Sequence, residues 1–119
     1  MSFCVVVSYA KDNIDKATVG LTLANAALDI EEQVSVVFTS EGVRLAVKGY
    51  ADGIDNGEPF KPMKQLIRQV LEKGGELKVC TPCMQKRGLR ESDMIEGVDV
   101  IGGLDVIRVL KRADRSIQL

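Results

Sequence analysis

The sequence predicts a three-layer α/β sandwich, with a mainly parallel sheet of about five strands between two layers of helices. Three observations support this fold class. Short β-branched apolar runs alternate along the chain with longer stretches of helical period. The first run, residues 3–8, is short, β-branched and apolar, as expected for a central strand covered on both faces. Cap and turn residues separate the runs, and no repeat or linker is found, so residues 1–119 are predicted to form a single domain.

The first helix is predicted over residues 14–30, because Asp12 and Asn13 are residue types that cap helix N-termini. Its apolar surface is wide, and small residues such as Gly20 allow close approach of another backbone. We therefore expect this helix to be buried on more than one side. A contact between subunits would bury the second side. A single well-buried helix is the alternative.

The second strand is predicted over residues 34–39, and a helix is expected to follow it as far as Val47. Ser40 is expected to cap this helix, and Glu41 lies in its first turn, where the helix dipole favours a negative charge. Residues 49–62 contain Asp-Gly and Asn-Gly pairs, which predict a mobile loop with few apolar side chains to hold it. We expect this loop to border the cysteine site described below.

The rest of the chain continues the alternation. Pro62 begins a helix with one apolar face, and Gly74-Gly75 ends it. The remaining predicted elements are a strand over residues 76–80, a short helix that ends near Arg87-Gly88, a helical turn at Ser92-Asp93, a strand over residues 98–102, a helix carrying Leu104, Ile107 and Leu110, and an edge strand over residues 116–119.

The composition argues against several classes of function. The 16 basic and 17 acidic residues give a net charge of −1, so nothing attracts the chain generally to nucleic acid or to an anionic membrane. No run approaches the ~20 apolar residues needed to cross a bilayer. Histidine is absent, which removes the His-activated nucleophile and the commonest metal ligand. The start of the chain lacks a secretory pattern and three cysteines leave one unpaired, so the cytoplasm is the expected compartment.

The most informative motif is Cys80-Thr81-Pro82-Cys83, which lies where a predicted strand gives way to a helix start. At such a turn, free backbone N–H groups and the helix dipole lower the pKa of a thiol, so Cys80 is expected to have a depressed pKa and to act as a nucleophile. Cys80 could accept sulfane sulfur as a persulfide, with Cys83 as a resolving thiol. Arg87 could stabilise the thiolate or bind an anionic sulfur species; a solvent-facing helix charge is the alternative.

Other residues are expected near this motif. Segments that leave the carboxyl ends of parallel strands converge at one edge of the sheet. Residues 9–13 and 39–42 should therefore meet the cysteines, which makes Thr39, Ser40 and Glu41 candidate supporting residues.

Two further interpretations of the motif remain open. Thiol–disulfide exchange is the second, because Cys-x-x-Cys with an intervening proline is typical of it. Part of a zinc site is the third, but one such motif supplies two of the four ligands that a structural zinc needs. No metal or other cofactor is therefore expected. Cys4 is interpreted as a small apolar residue in the core of the first strand.

Together these motifs resemble the DsrE/DsrF-like family, and the resemblance covers nearly the whole chain. The resemblance is carried by residues 3–8, the turn at residues 38–43, residues 79–83 with Arg87-Gly88, and the tail at residues 95–98 with Gly102-Gly103.

The resemblance implies a flavodoxin-like α/β fold, assembly into a homo-trimer or homo-hexamer, and a cysteine that carries persulfide sulfur. The sulfur-carrying cysteine of the family falls at Cys80, and the second motif cysteine falls at Cys83. The expected function is that of a small cytoplasmic sulfur-relay protein, a sulfurtransferase-type carrier between sulfur donor and acceptor proteins. A thiol–disulfide redox protein and a non-catalytic oligomeric adaptor are the alternatives.

Overall fold

The computed structural model describes residues 1–30 and 33–119 and contains a five-stranded sheet in which every neighbouring pair is parallel. The strands are β1 (Ser2–Val7), β2 (Gln33–Phe38), β3 (Glu76–Cys80), β4 (Val98–Ile101) and β5 (Arg115–Gln118). Their order across the sheet is β4-β3-β2-β1-β5. The predicted α/β class is confirmed, and each described strand begins and ends within about one residue of its prediction.

In the part of the chain that the structure describes, four α-helices and three short 3₁₀ segments connect the strands. They are α1 (Ile14–Asp29), α2 (Met63–Glu72), α3 (Thr81–Lys86) and α4 (Gly103–Arg112), with 3₁₀ segments at Lys11–Asn13, Ser40–Ala46 and Glu91–Asp93. The chain runs from β1 outward to β4 and then returns past β1 to β5. Because parallel crossovers are right-handed, the last connection, through α4, covers the opposite face from the others.

Two hydrophobic clusters correspond to the two faces of the sheet. The larger includes Leu21 of α1, Val70 of α2 and Val5 of β1. The smaller joins Cys4, Val6 and Val37 to Val109 of α4. Cys4 is 1% exposed, which confirms its interpretation as a core residue.

Helix α1 begins as its sequence predicts. The Asn13 side chain accepts a hydrogen bond from the backbone N–H of Lys16 at 3.0 Å, which satisfies one of the free donors of the first turn. A Cβ on Gly20 would lie 2.9 Å from Cγ2 of Val7, so the helix backbone rests directly on β1. The small residues of α1 therefore serve contact with the sheet.

The segment after β2 is helical, as predicted, but it is a 3₁₀ helix and not an α-helix. Ser40–Ala46 forms a 3₁₀ helix, and Ser40 is not a cap, because it has a φ of 49° and lies inside the segment. The reason is the crowding at Gly42, where an added Cβ would overlap the carbonyl oxygen of Val7. The chain turns sharply out of β2 to pass this close to the end of β1, and Ser40 adopts the left-handed conformation that the turn requires.

Two buried apolar residues and several hydrogen bonds hold the loop at residues 49–62. Ile54 is 3% exposed and Ala51 is 9% exposed, and both belong to the larger core cluster. The carbonyl of Ile54 accepts the backbone N–H of Met63 at 3.0 Å, and Asn56 donates to Asp15 at 3.0 Å. The mobility of this loop stays a prediction.

Within the described residues, none of the helices has the length and apolarity to span a bilayer.

We predict that Gly42→Ala lowers the free energy of unfolding by about 3 kcal/mol, because the new methyl group meets a backbone oxygen that no side-chain rotation can move away. Gly103→Ala is the matched control, since a Cβ there meets nothing within 4 Å, and it should leave stability unchanged or slightly raised. Urea titrations followed by circular dichroism measure both. Equal stability of the two variants would contradict the close contact.

Candidate functional site

Cys80 is the last residue of β3, and it precedes the first residue of α3. Strand β3 lies between β2 and β4, so the Cys80 side chain is enclosed and only 8% exposed. The hydroxyl of Thr81 donates to the carbonyl oxygen of Ile101 at 2.8 Å, which fixes the turn to the end of β4. The strand-end position expected for the cysteine motif is therefore confirmed.

The prediction that Cys80 has a depressed pKa is wrong. Burial raises the pKa of the Cys80 thiol above its ordinary value, and the neighbouring Cys83 thiol also raises it. The backbone N–H of Cys83 acts in the opposite direction on the same pKa, because it donates a hydrogen bond to the sulfur. Helix α3 has only six residues, so its dipole is small and desolvation of the thiolate outweighs it.

Cys83 lies on the first turn of α3 and is half-buried, so it is more accessible than Cys80. Both thiols are free. The pair therefore consists of an inner thiol at the strand end and an outer thiol on the helix, close enough for each to influence the other.

Arg87 anchors α3 to the 3₁₀ helix that follows β2. Its Nε donates to Oε2 of Glu41 at 2.6 Å, and its Nη1 donates to the carbonyl oxygen of Cys83 at 3.0 Å. The Arg87 side chain is 18% exposed, so the alternative of a solvent-facing charge is wrong. These two bonds use two of the five N–H donors of the guanidinium and tie Arg87 to the first turn of α3.

Glu41 lies between two guanidinium groups. Oε1 accepts from Nε of Arg44 at 2.6 Å, while Oε2 takes the bond from Arg87. The hydrogen bond from Arg87, reinforced by the bond and charge of Arg44, lowers the pKa of Glu41 below its ordinary value. Glu41 is consequently a carboxylate at neutral pH.

A polar depression of about 530 Å³ lies beside this anchor, at the carboxyl ends of β1 and β2. It is lined by Ser8, Tyr9, Asp12, Ser40, Glu41 and Arg87. Thr39 contributes differently, because its hydroxyl lies 2.9 Å from the hydroxyl of Ser8 and joins the ends of the two strands. Two of the three segments expected to converge thus line one depression, and Arg87 connects it to the third.

Ser8 and the loop at residues 49–62 are the two parts of this region that the sequence describes least well. Ser8 was not predicted as a lining residue, although its place at the end of the first strand was a signal. The loop at residues 49–62 forms hydrogen bonds with Lys11 and Asp15, and its place at the border of the cysteine site stays a prediction. Within the described residues, no hydrogen bond or ion pair joins this loop to Cys80 or Cys83.

Comparisons with known proteins agree with the fold. The model of the DsrE/DsrF-like family matches residues 1–119. An uncharacterized protein of Methanopyrus kandleri is 34% identical over 113 residues, which cover 95% of this chain and 89% of that protein. An uncharacterized protein of Methanocaldococcus jannaschii is 30% identical over 117 residues, covering 98% of both chains. The crystal structure of the ychN protein from E. coli has the same fold, with a TM-score of 0.81 at 20% identity and complete coverage of both chains.

We predict that Cys80 is alkylated more slowly in the folded protein than in urea at pH 7, because burial keeps its thiol protonated. The rate in the folded protein should rise with pH past about 8.5, the ordinary pKa of a thiol. Site-resolved mass spectrometry of the wild-type protein after pulses of iodoacetamide measures this rate at Cys80 separately from Cys4 and Cys83. A rate that reaches its plateau below pH 8 would contradict the raised pKa.

Proposed function

The chain belongs to the DsrE/DsrF-like family, and we propose that it is a small cytoplasmic sulfur-relay protein that accepts persulfide sulfur on Cys80. The observation that carries the proposal is the pair of free thiols at the end of β3, with Cys80 on the inside and Cys83 on the outside. Sulfur donor and acceptor proteins are the proposed partners, and no metal or organic cofactor takes part.

The loading step is an exchange at sulfane sulfur. The thiolate of Cys80 attacks the terminal sulfur of a donor protein's persulfide, and the sulfur–sulfur bond of the donor breaks. The donor leaves as a thiolate, and Cys80 becomes a persulfide. The backbone N–H of Cys83 supports this step, because its hydrogen bond to the Cys80 sulfur stabilises the charged form.

The sulfur can leave by either of two routes. In a redox-neutral transfer, an acceptor thiolate attacks the outer sulfur, the acceptor becomes the persulfide, and Cys80 leaves as a thiolate. In the second route, the thiolate of Cys83 attacks the inner sulfur of Cys80. The two cysteines then form a disulfide, hydrosulfide leaves with the reduced sulfur, and a cellular thiol must reduce the disulfide before the next cycle.

The burial of Cys80 fits a carrier. A persulfide adds one sulfur atom about 2.05 Å beyond the sulfur of Cys80, so the cargo extends from an enclosed position toward the partner. Arg87 and Glu41 have the role of positioning residues in this proposal, because they hold the carbonyl of Cys83 and with it the first turn of α3.

We also propose that the chain assembles into a homo-trimer or homo-hexamer. Two exposed apolar surfaces support this. On α4, Leu104 is 66% exposed and Ile107 is 59% exposed. Between α1 and the sheet edge at β5, Leu23 and Ile30 line an apolar depression of about 450 Å³. Exposed apolar side chains grouped in this way are typical of surfaces that associate.

A thiol–disulfide redox protein is the second candidate, because the same pair of free thiols could cycle through a disulfide without carrying sulfur. A non-catalytic oligomeric adaptor would need neither cysteine. The experiment below distinguishes all three.

We predict that the reduced protein gains one sulfur atom in its intact mass after incubation with a small persulfide donor. Cys80→Ser should abolish this gain, Cys4→Ser should leave it unchanged, and Cys83→Ser should keep it and lengthen its lifetime, because the resolving thiol is gone.

Three results would contradict sulfur carriage on Cys80. Loss of two hydrogens in the wild type, together with no sulfur gained by Cys83→Ser, would support the redox protein instead. No change in mass would favour the adaptor. Sulfur added to Cys80→Ser would assign the chemistry to another cysteine.

For the assembly, we predict that Leu104→Glu/Ile107→Glu shifts the protein toward a monomer in sedimentation velocity experiments at micromolar concentration. The paired charges make burial of this surface unfavourable. Lys111→Gln/Arg112→Gln on the same helix, at exposed charged positions, is the control, because it makes the net charge more negative by the same amount. A wild-type protein that is monomeric throughout this range would reject the assembly.

A further inference from the structure

A separate cavity of about 290 Å³ lies between α2 and the segment that follows β2, and it shares no lining residue with the polar depression. Its apolar lining includes Leu45 (1% exposed), Ile67 (4%) and Ala51 (9%). Half-buried Leu71 and Ile95 extend this lining toward the surface. The cavity therefore offers an apolar interior that opens to solvent.

The rim of the cavity is positively charged. Lys48, Lys64 and Arg68 line it together with one acidic residue, Asp52. Three positive charges against one negative charge leave the rim at +2, although the whole chain has a net charge of −1. An apolar interior beneath a cationic rim complements a molecule with an apolar body and an anionic end.

The two basic residues of α2 also favour an anionic group at the rim of the cavity. Lys64 and Arg68 are four residues apart on the helix, so their like charges repel each other. Lys64 is paired with Asp52 only at 3.4 Å, and both side chains are more than half exposed. Within residues 1–30 and 33–119, the Arg68 guanidinium makes no hydrogen bond or ion pair. A carboxylate bound here would relieve the repulsion and give Arg68 a planar two-oxygen partner.

We propose that this cavity binds a small amphiphilic carboxylate, with its alkyl chain against Leu45, Ile67 and Ala51 and its carboxylate on Arg68 and Lys64. The site is independent of the cysteines and of the proposed sulfur relay. The charge of the rim selects against an alkyl ammonium, and the exposed guanidinium distinguishes a carboxylate from an alcohol of the same length.

The test is a titration of the isotopically labelled full chain with sodium octanoate, followed by amide chemical shifts. Octan-1-ol and octylammonium chloride are the matched probes. We expect saturable octanoate shifts concentrated at the cavity lining, weaker binding of the alcohol, and none of the ammonium. Arg68→Gln/Lys64→Gln should weaken octanoate binding about fivefold, as expected for exposed ion pairs, and should reduce its dependence on salt.

Lys111→Gln/Arg112→Gln on α4 is the control, because it removes the same number of exposed positive charges away from the cavity. It should bind octanoate like the wild type. Equal binding of octanoate and octan-1-ol, or an unchanged affinity in Arg68→Gln/Lys64→Gln, would overturn the proposal. The amide chemical shifts of the cavity residues could instead change with protein concentration and not with octanoate. This result would also overturn the proposal, since a second copy of the chain would then occupy the cavity.

Discussion

The close approach of Gly42 to the carbonyl of Val7 is the constraint on which the candidate site depends. It fixes the 3₁₀ helix Ser40–Ala46 over the end of β1, and from that position Glu41 reaches Arg87 across to α3. Arg87 in turn holds the carbonyl of Cys83. A backbone contact in one βα connection therefore contributes to the position of α3, which carries the outer thiol of another connection.

The chemistry of the inner thiol reflects two opposed effects. Burial disfavours the Cys80 thiolate, while the backbone N–H of Cys83 favours it, and the net effect is a raised pKa. A thiol held protonated at rest is a weak nucleophile toward adventitious oxidants and alkylating agents. In a sulfur relay, that protection is compatible with function if a docked partner supplies the reactive sulfur at close range. Proximity then compensates for a low thiolate fraction.

The sequence predicts best what local patterns determine. The strands follow from β-branched runs, and the start of α1 follows from Asn13, because a cap is set by a residue and its next turn. The 3₁₀ helix was missed, since the contact that requires it joins Gly42 to a strand 35 positions earlier in the chain. The pairing of Arg87 with Glu41 and the raised pKa of Cys80 escaped prediction for the same reason. Both depend on neighbours that only the fold brings together.

The 3₁₀ helix Ser40–Ala46 also separates the two sites. Glu41 lines the polar depression near the cysteines, and Leu45 lines the apolar cavity. The segment has little freedom to move, because Gly42 lies against Val7 and Glu41 is paired with Arg44 as well as with α3. Communication between sites requires an element with two arrangements that both sites can bias. A ligand in the cavity would therefore leave the segment where it is, which is why the two sites are expected to act independently.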